Sequence, residues 1–389
     1  MRKYSDVVII GAGASGLLCG GLLGEAGMSV TVVEKNDRPG KKLSATGNGR
    51  CNFTNTNMGV DFYYGDREWI AAVLKKSGPK DVIRQFEEIG VLHRERDGYV
   101  YPHTNQAVTV VDSLIAMCRK SRVEILTNCK ASGIVPEADG EYFSVRTPDG
   151  VIRCRYAVLA TGGKANRESG GDGSGYKLAK SLGHHLNPVY PGLTGLKCRG
   201  TWWPRAAGTR IEGRFSLLID GKKTEGEYGE IQTARDGVSG IPVFQLCRLA
   251  AAALADGKWV EGVIDFVPPM EEEMLKEWIR RHGLEGLLPT KWVPVFSGRA
   301  EPARELKNFT FPIVDTYGLE RAQISAGGVP TSEVSPETME SRQKKNVFLL
   351  GELLDVDGIC GGYNLHFAWS SAMAAAGEIA KRDRKEAVR

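Results

Sequence analysis

Asp6 is followed by four apolar residues, Val7-Val8-Ile9-Ile10, with no polar position to mark a solvent face. That is the pattern of a strand buried on both sides. From Ala14 to Ala26 the residues are small or helix-favouring, and Gly27 stands where a helix would stop. Ser29-Val30-Thr31-Val32-Val33 is a second β-branched run, and it ends in Glu34. The pattern predicts strand, tight turn, helix and strand, with Gly11-Ala12-Gly13-Ala14-Ser15-Gly16 at the turn. In this spacing Gly11 allows the turn, Gly13 lets backbone approach a pyrophosphate, and Gly16 lets the helix pack close to the strand. Unpaired amides at the helix N-terminus face the phosphates. Glu34 stands where a carboxylate accepts hydrogen bonds from an adenosine ribose.

Further along, periodicity is lost over Gly40-Lys41-Lys42-Leu43-Ser44-Ala45-Thr46-Gly47-Asn48-Gly49-Arg50-Cys51-Asn52. Three glycines, two amides and three cations in one loop suit contact with a charged cofactor. Helices are expected around 67–76 and 80–89, and strands at 124–127, 142–147 and 157–160. The last strand runs into Thr161-Gly162-Gly163, a small-residue turn at a strand's carboxyl end, where open α/β sheets place their ligands. From about Pro188 prolines, tryptophans and short strand signals take over. Ser216-Leu217-Leu218-Ile219 followed by Asp220-Gly221 reads as a hairpin. Helical periodicity returns near 240–256 and 270–281. Gly327, Gly328 and Pro330 lead back to a strand over 346–350 and a final helix over 365–381. The expected architecture is α/β, a Rossmann-like domain (1–190 and 326–389) interrupted by a β-rich, barrel-like insert (191–240 and 295–325) that carries a helical subdomain (241–294). No internal repeat is present.

Composition narrows the function classes. Hydrophobic residues are 42% and charged residues 25% of the 389, ordinary values for a globular protein. No run approaches the ~18 apolar residues that cross a bilayer. The positive charge of Met1-Arg2-Lys3 precedes an apolar stretch that Gly11 and Gly13 interrupt at once, so it reads as a strand and not a signal peptide. A cytoplasmic location is expected. The eight cysteines include no CxxC pair, and the six histidines, His184-His185 among them, no metal-binding spacing, so no metal is expected. A net charge of +4 spread along the chain argues against nucleic acid as a partner.

Gly351-Glu352-Leu353-Leu354-Asp355-Val356-Asp357-Gly358-Ile359-Cys360-Gly361-Gly362-Tyr363-Asn364-Leu365 repeats the logic of the first turn: an apolar strand, a glycine-rich bend, a small-residue helix. Two helix N-termini converging on one site suit an elongated anionic cofactor. Taken with Gly49-Arg50-Cys51-Asn52, Ala326-Gly327-Gly328-Val329 and Thr338-Met339-Glu340-Ser341, this run resembles the BaiN-type (YhiN-like) family of FAD-dependent oxidoreductases, which includes aminoacetone oxidases and a bile-acid 4,6-reductase. The resemblance implies FAD held by Gly11, Gly13, Ala14, Ser15, Gly16, Glu34, Lys35, the loop from Lys41 and Lys42 through Thr46, Gly47, Gly49, Arg50, Cys51 and Asn52, and Ala131. It extends that set to Thr161, Gly162, Gly163, Gly351, Glu352, Asp357, Gly362, Tyr363, Asn364 and Leu365. This chain departs from the family pattern at Asn48, Cys360, Ala165-Asn166-Arg167 and Thr233-Ala234-Arg235, mostly where substrate is expected.

In such a protein the flavin carries the hydride chemistry, and the chain orients the reactants. Helix amides near Tyr363 and Asn364 are expected to favour negative charge on the reduced ring. Candidate proton donors are Tyr101, His103 and Tyr363, with Cys51 and His366 behind them. Cys51 and Cys360 are a candidate redox pair. The leading expectation is reduction of a conjugated C=C bond in an apolar organic substrate, with NADH or NADPH as transient donor. Alternatives are oxidation of a small amine with release of hydrogen peroxide, a non-catalytic flavin sensor, and an RNA-binding flavoprotein in which Arg199, Arg205, Arg210 and Arg214 with Trp202 and Trp203 would meet single strands. The oligomeric state is left open.

Overall fold

The computed structural model describes residues 3–138 and 140–387, with side chains through Lys385. Met1 and Arg2, whose charge enters the signal-peptide argument, lie outside the described residues, as do Val388 and Arg389 at the end of the expected first domain. The chain divides into two compact units, 1–189 with 325–389, and 190–324.

The first unit is built on β1 (Tyr4–Ile10), α1 (Ala14–Glu25), β2 (Val30–Val33), α2 (Ala107–Lys120), β3 (Glu124–Leu126), β4 (Gly133–Pro136), β5 (Phe143–Thr147), β6 (Gly150–Leu159), β7 (Val347–Leu349) and α3 (Tyr363–Ala387). The strands lie in the order β3-β2-β1-β6-β5-β4, with β7 also beside β6. Strands β3, β2, β1, β6 and β7 are parallel, with Ile9 opposite both Val32 and Val158. The other half of β6 turns to antiparallel pairing with β5, so one strand joins the parallel and antiparallel parts of the sheet. Val7, Val8, Ile9, Val30 and Val32 are fully buried, as the unbroken apolar run requires.

Helix α1 has no charged residue before Glu25 because both of its sides are covered. Its small residues allow close packing: a Cβ on Gly21 would come within 2.5 Å of Met117 Sδ on α2, so a side chain there would require that methionine to move. Residues 40–52, expected to lack periodicity, contain two short helical turns, Lys41–Ser44 and Thr46–Gly49, the second interrupted by left-handed Gly47 and Asn48.

The second unit is a barrel. Its seven-stranded sheet closes because Arg210–Ile219 pairs with Glu227–Ala234 on one side and Val260–Asp265 on the other. The hairpin at Asp220-Gly221 has both central residues left-handed (φ 48° and 78°), the conformation that matches strand twist. Helix Ile241–Ala255 buries Val243, Leu246, Cys247 and Ala250 in the same core as the sheet. Trp203 packs edge-on against Trp292 and Phe311, and Trp202 against Phe309. Trp203 is buried in the barrel core and Trp202 half-buried against it, so Trp203 is not available as a stacking platform for RNA. Among the described residues no helix is long and apolar enough to cross a membrane.

Candidate functional site

The first glycine turn has the geometry its spacing predicts. Gly11 has φ +107°, and a Cβ there would stand 2.4 Å from the Ala160 carbonyl oxygen. On Gly16 a Cβ would fall 1.9 Å from the Gly11 oxygen. At Gly13 nothing lies within 4 Å, and no side chain caps α1, so the amides of Ala14 and Ser15 border open space. Glu34 is buried at the end of β2, where Oε2 accepts from the Ala12 amide at 2.8 Å and Oε1 from the Asn36 amide at 2.8 Å. The Cys129 amide donates to the Glu34 carbonyl and brings the loop of buried Ala131 alongside.

Residues 40–52 are tied to both ends of the chain. The Gly40 amide donates to the Ala12 carbonyl at 2.8 Å. Lys42 Nζ reaches Glu352 Oε2 at 2.7 Å, and Glu352 Oε1 accepts from the Ser325 amide at 2.9 Å. Ser325 Oγ in turn accepts from the amides of Lys164 and Ala165, just beyond Thr161-Gly162-Gly163. A Cβ on Gly163 would strike both Ser325 Oγ and Glu352 Oε1. Within the loop, Thr46 Oγ1 donates to Leu43, and the Cys51 amide to Thr46. Arg50 and Gly49 are exposed, and Asn52 Oδ1 accepts from the Val100 amide at 3.2 Å.

The C-terminal motif closes on the same place. Gly351 lies against Ser15 of α1, and Gly362 against Asn52 and Thr54. Asp357 is buried opposite Tyr64. The Asn364 amide clamps the bend by accepting from the Gly358 N–H at 2.8 Å and donating to its carbonyl at 2.7 Å. Leu365, half-buried, follows on the first turn of α3.

The candidate acids separate by environment. Tyr363 donates to the Asn57 carbonyl at 3.0 Å, stacks on Phe62, and is pushed up to about 12 by burial, so it is a packing anchor of the bend and not a free acid. His366 does not face solvent: it is fully buried between Thr54 Oγ1 and the Ser77 carbonyl, and burial lowers it to about 4. Cys51 and Cys360 are free thiols, and burial pushes both up to about 12, which disfavours the thiolate at neutral pH. His103 is exposed at the end of strand Tyr99–Pro102. Tyr101 is half-buried on that strand, raised by burial and partly offset by Arg50.

Three residues of the site region carry no local sequence signal. Ser325 links two loops, as described. Asp172 pairs with Lys35, and with Lys130 at 3.0 Å. Burial alone would raise Asp172, but these lysines and Ser174 hold it below the usual carboxylate range. Glu333 joins His184 at 2.8 Å and also contacts His185.

Open backbone at Gly13, an uncapped helix start, a buried acid at the end of β2, and a second glycine bend that lies against Ser15 of α1 are thus brought together. The family model for the HI0933-like protein Rossmann domain matches residues 5–378. The chain belongs to the HI0933-like family. This family member is 37% identical over 405 residues to the 3-dehydro-bile acid delta(4,6)-reductase of Clostridium scindens, covering 96% of this chain and 98% of that one. It is 28% identical to the ribosomal RNA dihydrouridine synthase of Escherichia coli, covering 97% and 98%. Among solved structures it resembles 3-ketosteroid delta1-dehydrogenase from Sterolibacterium denitrificans in fold, with a TM-score of 0.55 at 11% identity over 98% and 100% of the chains. The fold is a Rossmann-type FAD-binding one, and this HI0933-like protein is a flavin-dependent oxidoreductase.

Proposed function

We propose that the protein reduces a C=C bond conjugated to a carbonyl in an apolar substrate, taking its electrons from NADH or NADPH. Full-length similarity at 37% identity to a reductase of unsaturated bile acids is the observation that carries this reading. FAD, when bound, relays two electrons as hydride. In the net reaction hydride and a proton add across the double bond while NAD(P)H becomes NAD(P)+.

The residues present fit FAD. Gly11, Gly13, Ala14, Ser15 and Gly16 would take the pyrophosphate on the uncapped start of α1, and Glu34, Lys35 and Ala131 the adenosine end. Lys41, Lys42, Thr46, Gly47, Gly49, Arg50, Cys51, Asn52, Thr161, Gly162 and Gly163 would line the middle. Gly351, Glu352, Asp357, Gly362, Tyr363, Asn364 and Leu365 would place the start of α3 toward the ring. Tyr101 is the favoured proton donor: its phenol is half-buried on the hairpin strand and, like any tyrosine, protonated at neutral pH.

A second reading rests on the ribosomal RNA dihydrouridine synthase relative. Saturating a uracil ring is the same chemical class, a C=C bond conjugated to a carbonyl. Anaerobic mixing with NAD(P)H or with a small amine, followed by admission of air, tests the electron donor. Bleaching of the flavin band by NAD(P)H supports the reductase. Bleaching by amine alone, with hydrogen peroxide in air, replaces it with an oxidase. Product analysis with an unsaturated 3-oxo steroid acid against a uridine-containing RNA separates the two reductase readings.

A further inference from the structure

The sequence holds no second GxGxxG turn, so a dinucleotide donor must dock on something other than its own Rossmann domain. The hairpin His93–Arg96 and Tyr99–Pro102 offers a surface of the right chemistry. Its register sets Arg94 opposite Tyr101 and Arg96 opposite Tyr99. Cross-strand partners and residues two apart share a face, so these four side chains stand together. The other face carries Val100, fully buried, and Glu95, whose carboxylate accepts from Thr56 Oγ1 at 3.2 Å. The hairpin is therefore fixed to the core from behind, and its Arg–Tyr face looks outward.

Arg94 and Arg96 are exposed, as is Tyr99 at 38%. Arg50, also exposed, lies close enough to act on the Tyr101 phenol along with Arg94 and Arg96. Among the described residues Arg50 and Arg94 form no ion pair, and Arg96 has only a solvent-exposed contact with Asp97 at 3.5 Å. Three guanidinium groups thus face one carboxylate. The face is continuous with the candidate FAD site, because the Val100 amide donates to Asn52 Oδ1 and Tyr99 lies within electrostatic reach of Tyr363.

We propose that this face docks the diphosphate and adenine of a pyridine dinucleotide, with Arg94 and Arg96 on the phosphates and Tyr99 stacked on a base. The proposal rests on the NAD(P)H-dependent reading above. Guanidinium forks match phosphate oxygens bidentately, and phenol rings offer a flat surface to a purine.

Stopped-flow reduction of the FAD-loaded protein over a range of NADPH and NADH concentrations tests this. The double variant Arg94→Ala/Arg96→Ala, changed only at exposed positions, is compared with wild type for FAD content, circular dichroism and reduction by dithionite. The Kd for NADPH rises about 10-fold or more, its dependence on salt flattens, and dithionite reduction is unchanged. An unaltered NADPH Kd in the double variant overturns the proposed site while leaving the NAD(P)H-dependent reading intact. Wild-type flavin that dithionite reduces but neither nucleotide does overturns both. A single-stranded oligoribonucleotide whose binding is lost in the double variant, with NADPH affinity unaffected, assigns the face to RNA and overturns the proposal.

Discussion

Lys42 and Glu352 lie 310 residues apart in sequence and meet at 2.7 Å, joining residues 40–52 to the C-terminal glycine bend. Glu352 also accepts from the Ser325 amide, so Glu352→Ala leaves a lysine and a backbone N–H without their acceptor. Both side chains are partly solvated, at 28% and 20% exposure. Stability is expected to fall by about 1–3 kcal/mol, and FAD to be lost on purification. Urea unfolding of the FAD-free protein and the ratio of flavin to protein absorbance measure the two effects, and Glu352→Gln, which keeps an acceptor, recovers part of each.

The glycines of the first turn divide into two kinds. Gly16→Ala drives a Cβ to 1.9 Å from the Gly11 oxygen and is expected to destabilise the FAD-free protein. Gly13→Ala meets nothing within 4 Å, and at φ −83° alanine is unstrained. The FAD-free protein should therefore melt within a degree or two of wild type, while FAD affinity falls roughly 10-fold or more as the methyl fills space reserved for phosphate. Equal loss of melting temperature in both variants would show that Gly13 is only structural.

Helix α1 and strands β1 and β2 were legible because burial on both sides leaves a plain apolar run, and the turn glycines are demanded by backbone contact. Helix Ala107–Lys120 was not expected: Val108-Thr109-Val110-Val111 favours a strand locally, and burial of Val110, Val111 and Leu114 against the core overrides that preference. In the barrel, Arg210, Glu212 and Arg214 alternate with buried Ile211, Gly213 and Phe215, yet only Ser216 to Ile219 read as a strand, because the charges mask the period of two. Asp172, Ser325 and Glu333 act through partners far away in sequence, a relation no local spacing carries. Asn364 and Tyr363 were read as cofactor contacts, and Tyr363 also as a proton donor. Their bonds to Gly358 and Asn57 show that they hold the shape of the bend.

Ser341, His184 and Glu333 form a chain like a hydrolase triad, with 2.8 Å from Ser341 Oγ to Nε2 and 2.8 Å from Nδ1 to Glu333. Ser341 Oγ already accepts from the amides of Gln343 and Lys344, and the serine and histidine are buried. This hydroxyl is a staple and not a nucleophile. A fluorophosphonate probe is expected to leave Ser341 unlabelled, and Ser341→Ala to lower stability by about 1–2 kcal/mol; labelling at Ser341 would reverse that assignment.

His366 predicts a pH dependence with a definite sign. Burial lowers its folded-state pKa to about 4, against ~6.5 unfolded. As pH falls below ~6.5 the unfolded chain takes up a proton that the folded chain refuses, so stability is lost between ~6.5 and ~4. The contribution is on the order of 3 kcal/mol at its limit. Urea midpoints at pH 7 and pH 5 should differ more for wild type than for His366→Gln, and an equal pH dependence would place the titration elsewhere.

The most direct test of the account is an anaerobic single turnover. FAD-loaded protein, bleached with one equivalent of NAD(P)H, is mixed with an apolar substrate containing a C=C bond conjugated to a ketone. The account predicts return of the flavin absorbance and a product that has gained two hydrogens, one equivalent per flavin. A flavin that stays bleached until air is admitted, and then yields only hydrogen peroxide, would contradict it.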